Sequence, residues 1–394
     1  MEAVAEKYKK TEVGFTPSDW EVKTLGEVGD VKMCRRILNN ETSPNGTIPF
    51  YKIGTFGKEP DAYISKEQYD EYRKRFSFPR KGDILISAAG TIGRTIIYNG
   101  EDAYFQDSNI VWIENNFNNV SNEFLYHIYQ VANYNTEGGT IQRLYNSILK
   151  ATKFACPELT EQTLIATALS DADALISSLE KLIAKKRNIK QGAMQKLLQP
   201  KEGWEVKKLG EVCDVRDGTH DSPKYFDSGV MFVTSKNIID GKLDFTEISF
   251  ISTEDAHQVN QRSKVDKGDI LMSMIGTIGN AVLVNFEPNF CIKNVALLKP
   301  KKIITTYLLQ LIYSQSFQKY IESKLDGGIQ KFISLGVLRD LDIPFPALEE
   351  QTRIATILSD MDTEITALET KLDKYKKVKL GMMQNLLTGK IRLV

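Results

Sequence analysis

Cysteine is scarce in this chain of 394 residues: four are present, at 34, 156, 213 and 291, and no two form a C-x-x-C pair. That spacing excludes a zinc ribbon and a disulfide framework and points to a reduced, cytoplasmic setting. Three histidines, at 127, 220 and 257, are too far apart to pair as metal ligands, so no metal and no cofactor is expected. No apolar run approaches the roughly 20 residues of a membrane span. The stretch Met1 to Lys10 is charged and lacks an apolar core, so it does not read as a secretory signal. Net charge is missing too, because 51 Lys and Arg balance 51 Asp and Glu. A generic polyanion-coating protein would be basic. Any affinity for nucleic acid must therefore come from local patches, which suffices for base reading because few side chains do it.

What is present is a repeat. Trp20-Glu-Val-Lys-Thr-Leu-Gly-Glu-Val-Gly-Asp-Val31 returns as Trp204-Glu-Val-Lys-Lys-Leu-Gly-Glu-Val-Cys-Asp-Val215, identical at ten of twelve positions. Lys81-Gly-Asp-Ile-Leu85 with Gly90-Thr-Ile-Gly93 returns as Lys267-Gly-Asp-Ile-Leu271 with Gly276-Thr-Ile-Gly279. Glu161-Gln162-Thr163 with Ile165-Ala166-Thr167 returns as Glu350-Gln351-Thr352 with Ile354-Ala355-Thr356. The period far exceeds the roughly 20–50 residues of a solenoid unit, so each copy is large enough to own a core. Within each copy the pattern predicts an extended segment after the tryptophan and a divergent stretch of loops. A buried strand follows (Asp83–Ser87; Asp269–Ser273), then short β-rich runs, then short helices near 122–134 and 306–323. The two glycines of each G-T-I-G run read as a tight turn rather than a phosphate cradle.

Each copy closes on a long proline-free segment with heptad spacing. Ile165, Ala172 and Leu179 form one row and Leu169, Ile176, Ile183 and Ile189 a second; Ile354, Met361 and Leu368 answer Leu358, Ile365, Leu372 and Val378 in the other copy. Sustained heptads predict coiled-coil helices, each about 58 Å long at about 1.5 Å per residue. Gly192 and Gly381 weaken the last turns. Two such helices in one chain most simply pair with each other, antiparallel. The expected architecture is α/β (α+β), with two similar globular domains separated by two long antiparallel coiled-coil helices in pseudo-two-fold symmetry. The expected boundaries are an N-terminal extension at 1–15, domains at 16–156 and 201–345, and spacer helices at 157–200 and 346–394.

In this arrangement the chain resembles the specificity subunits of type I restriction-modification systems. The likeness is carried by Ile48-Pro-Phe-Tyr-Lys-Ile-Gly54, Gly82-Asp-Ile-Leu-Ile-Ser87 and Gln106-Asp-Ser-Asn109 in the first copy. In the second it is carried by Asp217-Gly-Thr-His220 and Phe232-Val-Thr-Ser-Lys-Asn-Ile238. The two Glu-Gln helix openings and the ending Gln384-Asn-Leu-Leu-Thr-Gly-Lys-Ile-Arg-Leu393 add to it. The resemblance implies a non-catalytic DNA-binding subunit with two target recognition domains, reading an asymmetric bipartite target with the helices as a ruler. The partners it implies are double-stranded DNA, two adenine methyltransferase subunits and, in larger assemblies, ATP-dependent restriction subunits. Motif absences agree: there is no G-x-x-x-x-G-K-[ST] loop and no Asn/Asp-Pro-Pro-aromatic loop, Glu287-Pro-Asn-Phe290 being unlike one.

Base and phosphate contacts call for Arg, Lys, Asn, Gln, Ser, Thr or His on loops. In the first copy the candidates are Arg35, Arg36, Lys52, Thr55, Lys58, Arg73, Lys74, Arg75, Arg94, Gln106 and Asn109. In the second they are Thr219, His220, Lys224, Ser235, Lys236, Asn237, Arg262, Asn280, Lys293 and Asn294. The run Arg73-Lys-Arg75 with Arg80 and Lys81 is the densest basic patch, and equally a solvated helix end. Similar frames with different loops imply different half-sites. The competing reading is a stand-alone nucleic-acid-processing enzyme using Asp83 and Asp269 in a metal site, for which further convergent ligands are not evident.

Overall fold

The structure, a computed structural model, describes residues 7–116, 119–134, 143–325 and 331–393. The chain divides into two units, residues 1–179 with 371–394 and residues 180–370.

The first unit opens with a hairpin, β1 (Tyr8–Thr11) and β2 (Gly14–Pro17), followed by β3 (Glu21–Thr24), α1 (Leu25–Val28) and β4 (Gly29–Met33). Then come β5 (Ile48–Tyr51), β6 (Tyr63–Ile64), α2 (Lys66–Arg75), β7 (Ile84–Ser87), β8 (Thr95–Ile97), β9 (Tyr104–Phe105) and β10 (Ile110–Asn115). The unit continues through α3 (Asn122–Val131), α4 (Asn146–Ala151), β11 (Lys153–Cys156) and the first part of α5 (Leu159–Leu197). The strands form a sheet of order β4-β10-β7-β8, a sheet β6-β5-β9 in which β5 and β9 run parallel, and the pair β11-β3. β7 is buried at all four positions, as the unbroken apolar run Ile84-Leu-Ile86 requires of a strand covered on both faces.

The second unit repeats this order. Its elements are β12 (Glu205–Lys208), α6 (Leu209–Val212), β13 (Cys213–Asp217), β14 (Val230–Thr234), β15 (Ile238–Ile239), β16 (Lys242–Leu243), β17 (Ser249–Ile251) and α7 (Thr253–Ser263). They are followed by β18 (Ile270–Ser273), β19 (Ala281–Leu283), β20 (Phe290–Lys293), β21 (Val295–Pro300), α8 (Thr305–Ile312), α9 (Gln315–Ser323), α10 (Leu335–Arg339), β22 (Asp342–Phe345) and α11 (Leu348–Leu386). Sheet β13-β21-β18-β19 answers β4-β10-β7-β8, β17-β14-β20 answers β6-β5-β9, and β12-β22 answers β11-β3. The single helix expected at 306–323 is two helices, because Ser314 stops α8 and caps α9 by accepting from the Phe317 N–H. The hairpin β15–β16, turned by Asp240 and Gly241 at positive φ, is an insertion of the second copy.

Both long helices form as the heptads predict, and they run through Gly192 and Gly381 without a break. Within the first unit, α5 and α11 are antiparallel: Asp173 pairs with Lys379 and Glu161 with Arg392. Within the second, Arg187 pairs with Glu369 and Lys190 with Asp362. Ile165 and Leu169 join Met383 and Leu386 in one core, and Ile354 and Leu358 join Leu198 in the other. Leu179, Ile183 and Ile365 are buried, while Ala172, Ile176, Met361, Leu368 and Leu372 are half-buried.

One register expectation fails. Ile189 and Val378 are 47% and 45% exposed, and the seventh position after Ile183 and Leu372 is Lys190 and Lys379 instead. A lysine fits there because its stem lines the seam while its ammonium reaches the aspartate opposite, at 2.5 Å for Asp362 and 2.6 Å for Asp173. Leu175 and Leu182 likewise point away from the seam.

Each module is tied to its helices at matching places. Gln162 accepts from the Ser121 N–H at 2.9 Å, and Gln351 accepts from the Ile304 N–H at 3.0 Å. Both glutamines are fully buried, so their amides also donate to carbonyls, Gln162 to Pro157 and Gln351 to Pro346. In the first unit the buried Glu161 carboxylate takes the Trp20 indole N–H at 3.0 Å and a double contact from Arg392, whose guanidinium also grips Asp19. Arg392 lies over the Trp20 ring. In the second unit Lys201 and Arg353 serve the equivalent Glu350, and that double pairing holds the Glu350 carboxyl down at about 2.

Candidate nucleic-acid interface

Strand direction decides where the loops go. β4 is antiparallel to β10 with Met33 opposite Val111, and β7 is antiparallel to β10 with Ser87 opposite Ile110. β5 is parallel to β9, and β9 feeds β10. The chain therefore leaves β4, β5, β7 and β9 at one end of the first module. β13, β14, β18 and β20 bring their exits together in the same way around the start of β21. This convergence needs the nonlocal parallel pairs β5–β9 and β14–β20, which no local pattern announces.

In the first module Arg36, after β4, holds Asp107, after β9, at 2.8 Å. The Gln106 side chain accepts from the Ile53 N–H at 2.9 Å, fastening the β5 exit to the β9 exit. Ala88 donates to the Asn109 carbonyl, joining the β7 exit to the same point. Ser108 stands at φ 54°, an uncommon conformation for a residue with a side chain. Arg35 is exposed and lies over the Phe76 ring, centroid distance 5.3 Å, with Arg75 over the same ring at 5.5 Å.

In the second module the corresponding exits carry other residues. His220, after β13, has Nδ1 2.7 Å from Asn294 Oδ1 and Nε2 2.8 Å from Asp217 Oδ2. The buried Asp217 is also the partner of Arg262 at the end of α7. Asn294 stands at φ 52° and its carbonyl accepts from the Ser235 hydroxyl at 3.0 Å. Gly218 is required by the approach of two backbones, since a Cβ there would run into the carbonyl of Ile292. Ser235, Lys236, Asn237, Lys293 and Asn294 line a cleft of about 740 Å³ with Tyr225 and Thr277.

The sequence candidates thus separate. Arg35, Arg36, Lys52, Thr55, Lys58, Arg75, Gln106 and Asn109 belong to the converging exits or adjoin them, as do Thr219, His220, Ser235, Lys236, Lys293 and Asn294. Lys224 lies over the exposed Phe226 ring.

Several candidates are occupied with structure. Arg94 is half-buried and donates to the Phe56 carbonyl at 2.8 Å. Thr55 closes a turn onto Lys52, whose ammonium pairs with Asp61. Asn237 is buried and saturated, accepting from Thr234 and donating to the Asp244 carbonyl. Asn280 is half-buried in the turn after β18, and Arg262 is committed to Asp217.

The basic run 73–81 splits. Arg73 bonds the Tyr69 hydroxyl and Asp102, and Lys74 is exposed on α2. Arg80 pairs with Glu114, at the far end of the sheet from the converging exits. The G-T-I-G runs are turns with both glycines at positive φ, closed by the Ser87 and Ser273 hydroxyls onto Thr91 and Thr277. Asp107 and Asp217, the anchors of Arg36 and His220, were not singled out by sequence. Their one signal is membership of the runs Gln106–Asn109 and Asp217–His220.

Among the described residues no three His, Cys, Asp or Glu side chains converge as a cation site. Asp83 and Asp269 each accept the N–H of the residue three before them, Arg80 and Asp266. They are local turn caps. No helix among the described residues is long and apolar enough to cross a membrane.

Two copies of one scaffold, each presenting a different polar loop cluster and each seated on a helix pair, define a duplicated recognition protein. The family model for the type I restriction modification DNA specificity domain matches residues 17–191 and again 201–377, and the chain belongs to that family. A putative type I restriction enzyme specificity subunit of Haemophilus influenzae is 58% identical over 156 residues, 39% of this chain and 40% of that one. The MjaVIII specificity subunit of Methanocaldococcus jannaschii is 31% identical over 283 residues, 66% of each chain. A putative MjaX specificity subunit from the same organism is 28% identical over 434 residues, 98% of this chain and 97% of that one. In fold, the chain is similar to the S subunit of a type I restriction-modification system from M. genitalium, with a TM-score of 0.60 and 16% identity, over 93% of this chain and 96% of that one. It is also similar to a chain solved in a study of type I R-M complex assembly and conformational transition, with a TM-score of 0.57 and 20% identity, over 95% and 99% of the two chains.

Proposed function

We propose that this chain is the DNA-reading subunit of a type I restriction-modification complex. Residues 16–156 and 201–345 each read one half of an asymmetric bipartite target in double-stranded DNA. The spacer helices, 157–200 and 346–394, set the unread gap. The chain performs no chemistry itself and docks two adenine methyltransferase subunits, with ATP-dependent restriction subunits joining larger assemblies.

The observation that carries this reading is the pair of equivalent loop clusters with unequal chemistry. Arg36, held by Asp107, occupies the place of His220, which is held by Asn294 and Asp217. Like frames bearing unlike donors and acceptors suit two different base sequences. Docking is supported by apolar side chains that face away from the seam, Leu175, Leu182 and Ile189 on α5 and Val378 and Leu380 on α11. Such heptad-spaced residues offer surface to further helices.

The test is competition binding and methylation mapping. Cells producing the chain with its methyltransferase should carry methylated adenines in one two-part motif, and the complex should prefer that motif over a scramble by about 10³-fold or more. Turnover of DNA by the purified chain alone, given magnesium and S-adenosylmethionine, would overturn the reading in favour of a stand-alone enzyme.

A further inference from the structure

Arg35 differs from every other arginine of the first loop cluster. Arg36 is held by Asp107 at 2.8 Å and Arg75 by Glu71 at 2.5 Å. Arg35 is exposed, and among the described residues its guanidinium has no carboxylate partner and lies over the Phe76 ring. Its backbone is fixed, because the buried Tyr104 donates its hydroxyl to the Arg35 carbonyl at 3.0 Å. Phe76 is braced edge-on by Tyr72, centroids 5.4 Å apart. Arg75, paired with Glu71, approaches the same ring. An arginine stacked on a ring loses little freedom when its fork forms two parallel hydrogen bonds. In the major groove the partner that presents two acceptors side by side is guanine, through O6 and N7.

We infer that Arg35 is a specificity-determining residue of the first recognition domain and reads a guanine by a two-point contact. This rests on the reading of the chain as a DNA specificity subunit. The second module has no counterpart: its equivalent position is Thr219, whose hydroxyl is taken by the Asp221 N–H at 3.1 Å. This contact is therefore confined to one half-site.

The experiment uses the full chain in complex with its methyltransferase. Methylated motifs are mapped for wild type, Arg35→Lys and Arg35→Ala, and binding of the wild-type motif is measured against salt. Lysine keeps the charge and loses the fork. With Arg35→Lys, one guanine of one half-site should become degenerate, with discrimination there falling about 10- to 100-fold, while the other half-site stays unchanged. Because the side chain is exposed, thermal melting of both variants should match wild type. An unchanged motif in Arg35→Lys, with Arg35→Ala binding all sequences more weakly and with the salt slope reduced by about one, would make Arg35 a phosphate contact and overturn the inference. Absence of any sequence preference in the wild-type complex would instead remove the underlying reading, and is seen before any variant is made.

Discussion

The Lys379 ammonium lies 2.6 Å from Asp173, and Lys190 repeats the relationship with Asp362 at 2.5 Å. The two pairs occupy the same heptad positions in the two copies. In the second unit Gln310 also donates to Asp362 at 2.9 Å, so one carboxylate holds both the helix partner and the recognition module. Asp362→Ala leaves a lysine side chain only 15% exposed, and a buried amide, without their acceptor. The expected cost is about 1–3 kcal/mol. Hydrogen exchange should quicken in α8 while α3 keeps its protection; equal loss in both would refute the local role of this pair.

His127 occupies in α3 the place of Gln310 in α8, six residues after the N–H that each helix-opening glutamine accepts. It is fully buried, its Nδ1 has no hydrogen-bonding partner among the described residues, and burial pushes its pKa down to about 4. The folded state therefore holds the ring neutral. Stability is intact above the unfolded value of 6.5 and falls as pH drops from 6.5 toward 4, by on the order of 3 kcal/mol in all. His127→Gln should flatten thermal stability across that window. Parallel curves for the two proteins would show that the acid response arises elsewhere.

Asp83 and Asp269 cap equivalent turns but face opposite charges. Lys299 lies 2.6 Å from Asp269, whereas Glu114 takes the corresponding place beside Asp83. Burial, with Glu114 adding to it, raises the Asp83 pKa. A raised carboxyl favours its neutral form, so its contribution is fully present below the unfolded value of 3.8 and is lost as pH rises through the folded one. Asp83→Asn should change stability at neutral pH by less than about 1 kcal/mol, or raise it. Asp269→Asn removes the charge beside Lys299 and should cost about 1–3 kcal/mol. Chemical denaturation of both variants at pH 7 compares them, and equal losses would contradict the difference in surroundings.

The helices as a ruler make a geometric prediction. Removing residues 174–180 and 372–378 takes two turns from each helix and leaves Asp173, Lys379, Lys190 and Asp362 in place. About 10.5 Å of helix is lost, close to three base pairs at about 3.4 Å each. Methylation mapping should show both half-sites unchanged and the gap shortened by about that number. A constant gap with altered half-sites would reject the ruler.

Much of this was legible beforehand. The repeat marked two cores, and the heptads placed both long helices. Periodicity failed where polarity misled it. Ile189 and Val378 looked like seam residues because they are apolar, yet lysines with charged partners took the seam. At the interface, sequence supplied the right segments but not the roles. Asn237 and Arg94 have the donors of base readers and spend them on their own backbone. Asp107 meets Arg36 only once nonlocal strand pairing joins the two exits, whereas Asp217 lies three residues before His220 and matters by also holding the distant Arg262.

Gly218 admits the Ile292 backbone so closely that the exits after β13 and β20 are laced by main-chain hydrogen bonds, from the Thr219 N–H to the Ile292 carbonyl and from the Asn294 N–H to the Thr219 carbonyl. That lacing is independent of which side chains follow it. Loop residues beyond it can vary while the platform beneath them stays put, so, under the proposed function, a new target vocabulary can arise without a new protein.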